Sequence, residues 1–165
     1  MYGHRQSGRR VRVVRTERKH AEATKVQFQS RPVDLGRLVI QASGYRGSGL
    51  VLVVDDEPDI LETTADFLQS LGFEVIQAED GRDAVERFAR HLERIRLVLL
   101  DYSMPHMDGA ECFRRIRELS PSIPVLMTSG FSEGDTARAL EGLAGFLQKP
   151  YDFARLRAKM QEVLG

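Results

Sequence analysis

The run Leu50-Val51-Leu52-Val53-Val54, apolar throughout and ending abruptly in Asp55-Asp56, constrains this chain more than any other stretch. A strand with one wet face alternates apolar and polar side chains. A continuous run therefore belongs to a strand covered on both faces, as in a parallel sheet packed between helices. The residues that follow have a different period. Pro58 stands at a first helical position, where its fixed φ is suited and its missing amide costs nothing. Ile60, Leu61, Thr64, Phe67, Leu68 and Leu71 recur at helical spacing until Gly72 stops the helix.

The unit then repeats in kind. Phe73–Ile76 reads as a second strand, and Ala84, Val85, Phe88 and Leu92 mark a second helix. Leu97–Leu100 is a third strand, again ending in Asp. A helix over about Gly109–Leu119 follows, with Cys112, Phe113 and Ile116 inward. Val125–Met127 is a fourth strand running into Thr128-Ser129, and a short, weaker helix is expected around Asp135–Leu140. Phe146-Leu147 forms a fifth strand ending at Lys149-Pro150. Phe153, Leu156, Met160, Val163 and Leu164 line a last helix. Such alternation implies right-handed crossovers and an α/β doubly wound parallel sheet with helices on both faces.

In sheets of this kind ligands bind beyond the carboxyl ends of the strands. Those ends carry Asp55 and Asp56, Asp101, Thr128 and Lys149. Converging carboxylates repel one another unless a positive charge sits between them. Hard oxygen ligands select a small divalent cation such as Mg²⁺. Lys149 offers a point charge for a carboxylate or phosphoryl group, and Thr128 a hydroxyl donor. A carboxylate nucleophile, a metal and a lysine are the parts of phosphoryl transfer through an acyl phosphate. Any one of these residues alone reads as a cap or turn residue; their shared sheet edge gives them chemical meaning. Asp59, Asp80, Asp83 and Asp108 sit near helix starts, where capping or dipole matching accounts for them.

Val53-Val54-Asp55-Asp56-Glu57-Pro58, the stretch Asp101–Gly109, Thr128-Ser129-Gly130 and Lys149-Pro150 together resemble the motif set of response-regulator receiver domains. The resemblance covers residues 50–165, with every motif in order. It implies a flavodoxin-like sheet of order 2-1-3-4-5 and a two-component signalling role. Asp101 would accept the phosphoryl group from a phosphohistidine of a sensor histidine kinase or histidine phosphotransfer protein. Asp56 would ligate Mg²⁺ (Mn²⁺ as an alternative) directly, Asp55 largely through water, and Asp101 and the Ser103 backbone carbonyl would complete the protein's share. Thr128 and Lys149 would hold the phosphoryl oxygens, with Phe146 as the aromatic whose rotamer follows Thr128. Ser103 and Gly130 would tune dephosphorylation, and the Lys149-Pro150 bond, often cis in relatives, would aim the lysine inward. The switched surface would be that of the fourth helix, fifth strand and last helix. Phe131–Asp135 and Lys149-Pro150-Tyr151 resemble in particular the C-terminal receivers of hybrid sensor kinases. Phosphatases of the haloacid dehalogenase type also form an aspartyl phosphate. They need a second Asp two positions beyond the nucleophile, where this chain has Ser103.

Residues 1–49 differ in kind. They hold eleven Lys or Arg against Glu17, Glu22 and Asp34, whereas the rest of the chain is acidic overall. This charge asymmetry and the Gly-rich stretch Gly44–Gly49 set an expected boundary between a basic extension or linker and the receiver. No nucleic-acid-binding motif accompanies the basic residues, so a partner-docking or linking role is favoured over nucleic acid. No apolar run is long enough to span a bilayer, and the polar start lacks a signal sequence. The single cysteine, Cys112, excludes an intrachain disulfide and reads as a small, semi-buried helix residue. These features fit the cytoplasm. The chain stops at Gly165 after the last helix, so no DNA-binding output domain is expected. The expected protein is a phosphoacceptor switch, with a downstream protein partner or a phosphorylation-dependent dimer as outputs. It would catalyse only its own phosphorylation and dephosphorylation. Two readings of another class stand beside it: a phosphorylation-independent interaction module, and a nucleic-acid binder acting through the basic arm.

Overall fold

A computed structural model of the chain describes residues 45–131 and 140–165. Its strands are β1 (Leu50–Val54), β2 (Glu74–Ala78), β3 (Ile95–Asp101), β4 (Val125–Ser129) and β5 (Gly145–Gln148). Four helices lie between and after them: α1 (Pro58–Leu71), α2 (Gly81–Arg90), α3 (Gly109–Leu119) and α4 (Phe153–Leu164). All strand pairs are parallel and the order is β2-β1-β3-β4-β5. This is the doubly wound α/β sheet expected from the sequence. The short helix expected around Asp135–Leu140 falls almost wholly outside the described residues.

Alternate side chains of the buried strands divide the core in two. Val51, Val53, Leu97, Leu99, Leu126 and Leu147 pack with Leu61 and Leu68 of α1 and Leu156 and Met160 of α4. Leu52, Val54, Val98, Leu100, Val125 and Met127 face Ala84 and Phe88 of α2 and Phe113 and Ile116 of α3. β1, β3 and β4 are therefore apolar on both faces. β2, at the sheet edge, is the one strand with two exposed polar positions, Glu74 and Gln77. It begins one residue later than expected and runs on to Ala78, because Gln77 and Ala78 continue the pairing to Val53 and Val54.

The helix ends follow local chemistry. Gly72 caps α1 in the left-handed region at φ 105, as expected of a stop glycine. The Asp80 carboxylate accepts from Arg82 and Asp83 amides at 2.7 and 2.9 Å, and Asp108 accepts from Glu111 N at 2.8 Å. These are the capping roles their positions imply. Asp152 caps α4 in the same manner, accepting from Arg155 N at 2.8 Å. Two expectations need correction. Leu92 lies beyond the end of α2, in a turn, and is exposed, because the helix closes at His91. Cys112 is fully buried, not semi-buried, since α2 packs directly over α3 at that point.

Residues just ahead of β1 also lie against this core. Tyr45 is buried in the cluster shared with Leu71 and Phe73. Gly47 N donates to the Leu71 carbonyl, and the Gly49 carbonyl accepts from Glu74 N, each at 2.9 Å.

Candidate phosphoacceptor site

The sheet's hydrogen-bond ladder runs past the strand ends and sets the backbone of the site. Asp55 N donates to the Ala78 carbonyl at 3.2 Å, Tyr102 N to Thr128 O at 2.9 Å, and Lys149 N to Ser129 O at 2.8 Å. Asp101 and Thr128 are direct neighbours in register. Asp55 and Asp101 each fold back over their own chain: Asp55 Oδ1 accepts from Glu57 N, and Asp101 Oδ2 from Ser103 N, both at 3.1 Å. Such turns fix the carboxylates at the strand tips without a helix cap.

Lys149 Nζ is 2.7 Å from Asp55 Oδ2 and 3.0 Å from Asp101 Oδ1, with Glu57 farther off at 3.9 Å. Thr128 Oγ1 donates to the same Asp101 oxygen at 3.4 Å. Asp55, Asp101 and Thr128 are buried, while Asp56 stands at the more open rim and makes no ion pair among the described residues. Carboxylate oxygens of Asp55, Asp56 and Asp101 lie within 4.8 Å of one another.

Burial raises the pKa of Asp55 above the ordinary carboxylate value, despite the hydrogen bond from Lys149 that opposes the shift. For Lys149 burial acts downward, but the hydrogen bonds to Asp55 and Asp101 outweigh it and hold the ammonium above its ordinary pKa. Among the described residues, one lysine therefore faces two buried carboxylates and a third nearby, which leaves them under-neutralised. Oxygen-only donors at this spacing, short of positive charge, fit a hard divalent cation.

The sequence-derived residues do not all converge. Asp55, Asp56, Asp101, Thr128 and Lys149 share one site. Ser103 and Gly130 are exposed and line the same open cavity of about 730 Å³ as Asp101 and Lys149. A Cβ on Gly130 would meet nothing within 4 Å. Phe146, expected as the aromatic coupled to Thr128, lies on β5 beside β4. It is buried in the α2–α3 side of the core, paired with Met127 one position before Thr128. The Lys149-Pro150 peptide is cis.

Three residues gain roles that spacing alone did not assign. Gly109, read only as a helix start, has space for no side chain: a Cβ there would lie 2.3 Å from the Asp101 carbonyl oxygen and 2.7 Å from Tyr102 Cα. Its amide donates to the Tyr102 carbonyl at 2.9 Å, holding α3 against the end of β3. Thr64 and Tyr151, from α1 and the β5–α4 connection, face each other with their hydroxyls 3.0 Å apart. Thr64 occupies an otherwise apolar helix face, which was a signal, but nothing in the sequence paired it with a residue so distant.

The family model of the response regulator receiver domain matches residues 51–161. This chain belongs to that family. The Brucella abortus sensor kinase CckA is 32% identical over 150 residues, covering 90% of this chain and 15% of the kinase. The Klebsiella oxytoca transcriptional regulatory protein ZraR is 37% identical over 69% of this chain and 26% of its own length. The receiver thus spans only a small part of these relatives. Among solved structures, a Borrelia burgdorferi chain from a CheX–CheY–BeF3–Mg²⁺ complex superposes with a TM-score of 0.68 at 32% identity, covering 71% of this chain and 90% of that one. Receivers of this family take part in two-component signalling, act as phosphoacceptor switches, bind Mg²⁺ at an acidic cluster and interact with histidine kinases or phosphotransfer proteins. In this receiver the corresponding acidic cluster is Asp55, Asp56 and Asp101.

Proposed function

We propose that this receiver takes a phosphoryl group onto Asp101 from a phosphohistidine of a histidine kinase or phosphotransfer protein. The observation that carries the reading is the Lys149 ammonium 3.0 Å from Asp101 Oδ1, beside two further carboxylates that no second cation among the described residues balances. An Asp101 oxygen attacks phosphorus, the phosphorus–nitrogen bond to the donor imidazole breaks with its electron pair going to nitrogen, and that nitrogen takes a proton from solvent so that neutral imidazole leaves. Lys149 and Thr128, already on the carboxylate, then meet the phosphoryl oxygens that replace it as the centre of negative charge. Asp55, Asp56, Asp101 and the Ser103 carbonyl are the groups that would hold Mg²⁺, or Mn²⁺ in its place, which supplies charge neutralisation when bound.

Exposed Ser103 and Gly130 border the route of the hydrolytic water, and they set the lifetime of the aspartyl phosphate. Phe146, on β5 one register position from the partner of Thr128, carries the change to the surface of β5 and α4, where a downstream protein or a second phosphorylated copy binds. The basic residues ahead of Tyr45 act as an extension or linker to the phosphorylatable unit, working with protein rather than nucleic acid. Similarity to the CckA kinase over 90% of the chain necessarily reaches upstream of Leu50, which favours a hybrid-kinase setting for this receiver. No helix among the described residues is long and apolar enough to cross a membrane. The cytoplasm, where kinase phosphodonors are made, is the proposed location.

The test is incubation with acetyl phosphate and Mg²⁺ followed by intact-mass measurement. One phosphoryl adduct on the wild-type chain and none on Asp101→Ala is expected. An unmodified wild type, or equal labelling of the variant, overturns the reading.

A further inference from the structure

We infer that the hydroxyl pair Thr64–Tyr151 positions Lys149 for phosphoryl binding. This inference rests on the phosphoacceptor reading above. Thr64 lies on α1, whose first turn leads out of the loop carrying Asp55 and Asp56. Tyr151 lies two residues after Lys149, at the start of the connection to α4. Their hydroxyls are 3.0 Å apart across 87 positions of sequence. At the other end of the same two segments, Lys149 Nζ meets Asp55 Oδ2 at 2.7 Å. The chain from Asp55 through α1 to Thr64, and from Tyr151 back to Lys149, is thus a closed frame with one polar latch at each end.

Packing alone does not call for these hydroxyls. Thr64 is flanked on the inner face of α1 by buried Leu61, Ala65, Leu68 and Leu71. The Tyr151 ring packs against the apolar cluster on that side of the sheet. A valine and a phenylalanine would fill the same volume with no polar atom to satisfy. A part-buried hydroxyl pair contributes little net stability, and what it adds is a fixed geometry.

That geometry matters when the site is phosphorylated. A phosphoryl group draws Lys149 away from Asp55, and the ion-pair latch opens. The Thr64–Tyr151 bond makes no contact with the phosphoryl group, so it persists and keeps the lysine stem over Asp101. Tyr151 and Thr64 are positioning residues; Lys149 remains the group that touches phosphate.

The experiment compares Tyr151→Phe, Thr64→Val and the double variant with wild type, using calorimetric titration with Mg²⁺ alone, then with BeF3⁻ at saturating Mg²⁺. Acetyl-phosphate labelling rates are followed by intact mass in parallel. Each single variant is expected to weaken BeF3⁻ binding and slow labelling by roughly three- to tenfold, the loss of one hydrogen bond. Mg²⁺ affinity should stay within about twofold, because the metal-holding carboxylates keep their places. The double variant should be no worse than either single one, and Thr64→Ser, which keeps the hydroxyl, should restore the wild-type rate. Unchanged BeF3⁻ binding, additive losses, or a parallel fall in Mg²⁺ affinity overturns the positioning role. A wild-type chain that takes neither phosphate nor BeF3⁻ overturns the phosphoacceptor reading instead, and the positioning role with it.

Discussion

Lys149 Nζ stands 3.0 Å from Asp101 Oδ1, the oxygen that also accepts from Thr128. Both partners of the pair are largely buried, with side-chain exposures of 15% and 4%. The same ammonium holds Asp55, so its removal strands two carboxylates at once.

Replacing Lys149 with Met is therefore expected to destabilise the metal-free protein by about 3 kcal/mol, the usual cost of an uncompensated buried charge. The lysine's folded pKa is raised, so its contribution is complete at neutral pH and disappears only as pH climbs through that raised value. Urea unfolding with and without Mg²⁺ checks the assignment. The divalent ion should stabilise Lys149→Met more than wild type, since it takes over the neutralising role. Equal stabilisation of the two would separate the lysine from the metal-binding carboxylates.

Gly109→Ala tests whether α3 must touch the β3 strand that carries the proposed phosphoacceptor, Asp101. The added methyl would sit 2.3 Å from the Asp101 carbonyl oxygen, a backbone atom that no side-chain rotation can move. An overpacking cost of about 2 kcal/mol is expected. Labelling by acetyl phosphate should slow even under conditions where the variant is fully folded, because the strain is delivered at Asp101 itself. A variant of lowered melting temperature but wild-type labelling rate would confine Gly109 to a structural role.

The legibility of this molecule follows from the range of its interactions. Leu50–Val54 declared a two-faced strand because burial on both sides leaves no polar position to hide. The strand-end residues were legible for a related reason: parallel strands deliver their carboxyl ends to one edge, so Asp55, Asp101, Thr128 and Lys149 had to gather. Side-chain partnership was not legible. Thr64 and Tyr151 meet only because α1 and α4 cover the same sheet face, and neither residue carries a period that names the other. The pairing of Phe146 with Met127 depended on register, which the strand's four residues were too few to announce. Cys112 was underestimated because its burial comes from α2, an element remote in sequence.

Cys112 gives a pH prediction. Burial pushes its thiol up to about 12 from an ordinary 9.0. Between those two values the folded chain retains a proton that the unfolded chain has lost. Stability from this residue therefore falls as pH rises through the window, by up to about 1.4 kcal/mol per pH unit. The difference in unfolding free energy between wild type and Cys112→Ala should thus shrink from pH 9 upward. Below pH 8 it should be flat. A thiol reagent applied at pH 8 should label the unfolded chain and spare the folded one, and rapid native labelling would contradict the burial.

Tyr45 tests how far the folded unit extends ahead of β1. Its ring is buried with Leu71 and Phe73, and the residues behind it donate and accept backbone hydrogen bonds at Leu71 and Glu74. Gly47 passes so close to the Phe73 ring that a Cβ would lie 2.1 Å from it, so the segment crosses the end of α1 in close contact. Truncating Tyr45 to Ala should cost about 3 kcal/mol, as for other buried aromatic rings, whereas Tyr45→Phe should cost far less. A chain starting at Leu50 should melt well below one starting at Tyr45, although both contain all five strands and every residue of the proposed phosphoacceptor site. Equal melting temperatures would return the Gly-rich stretch to the linker and place the edge of the unit at β1 itself.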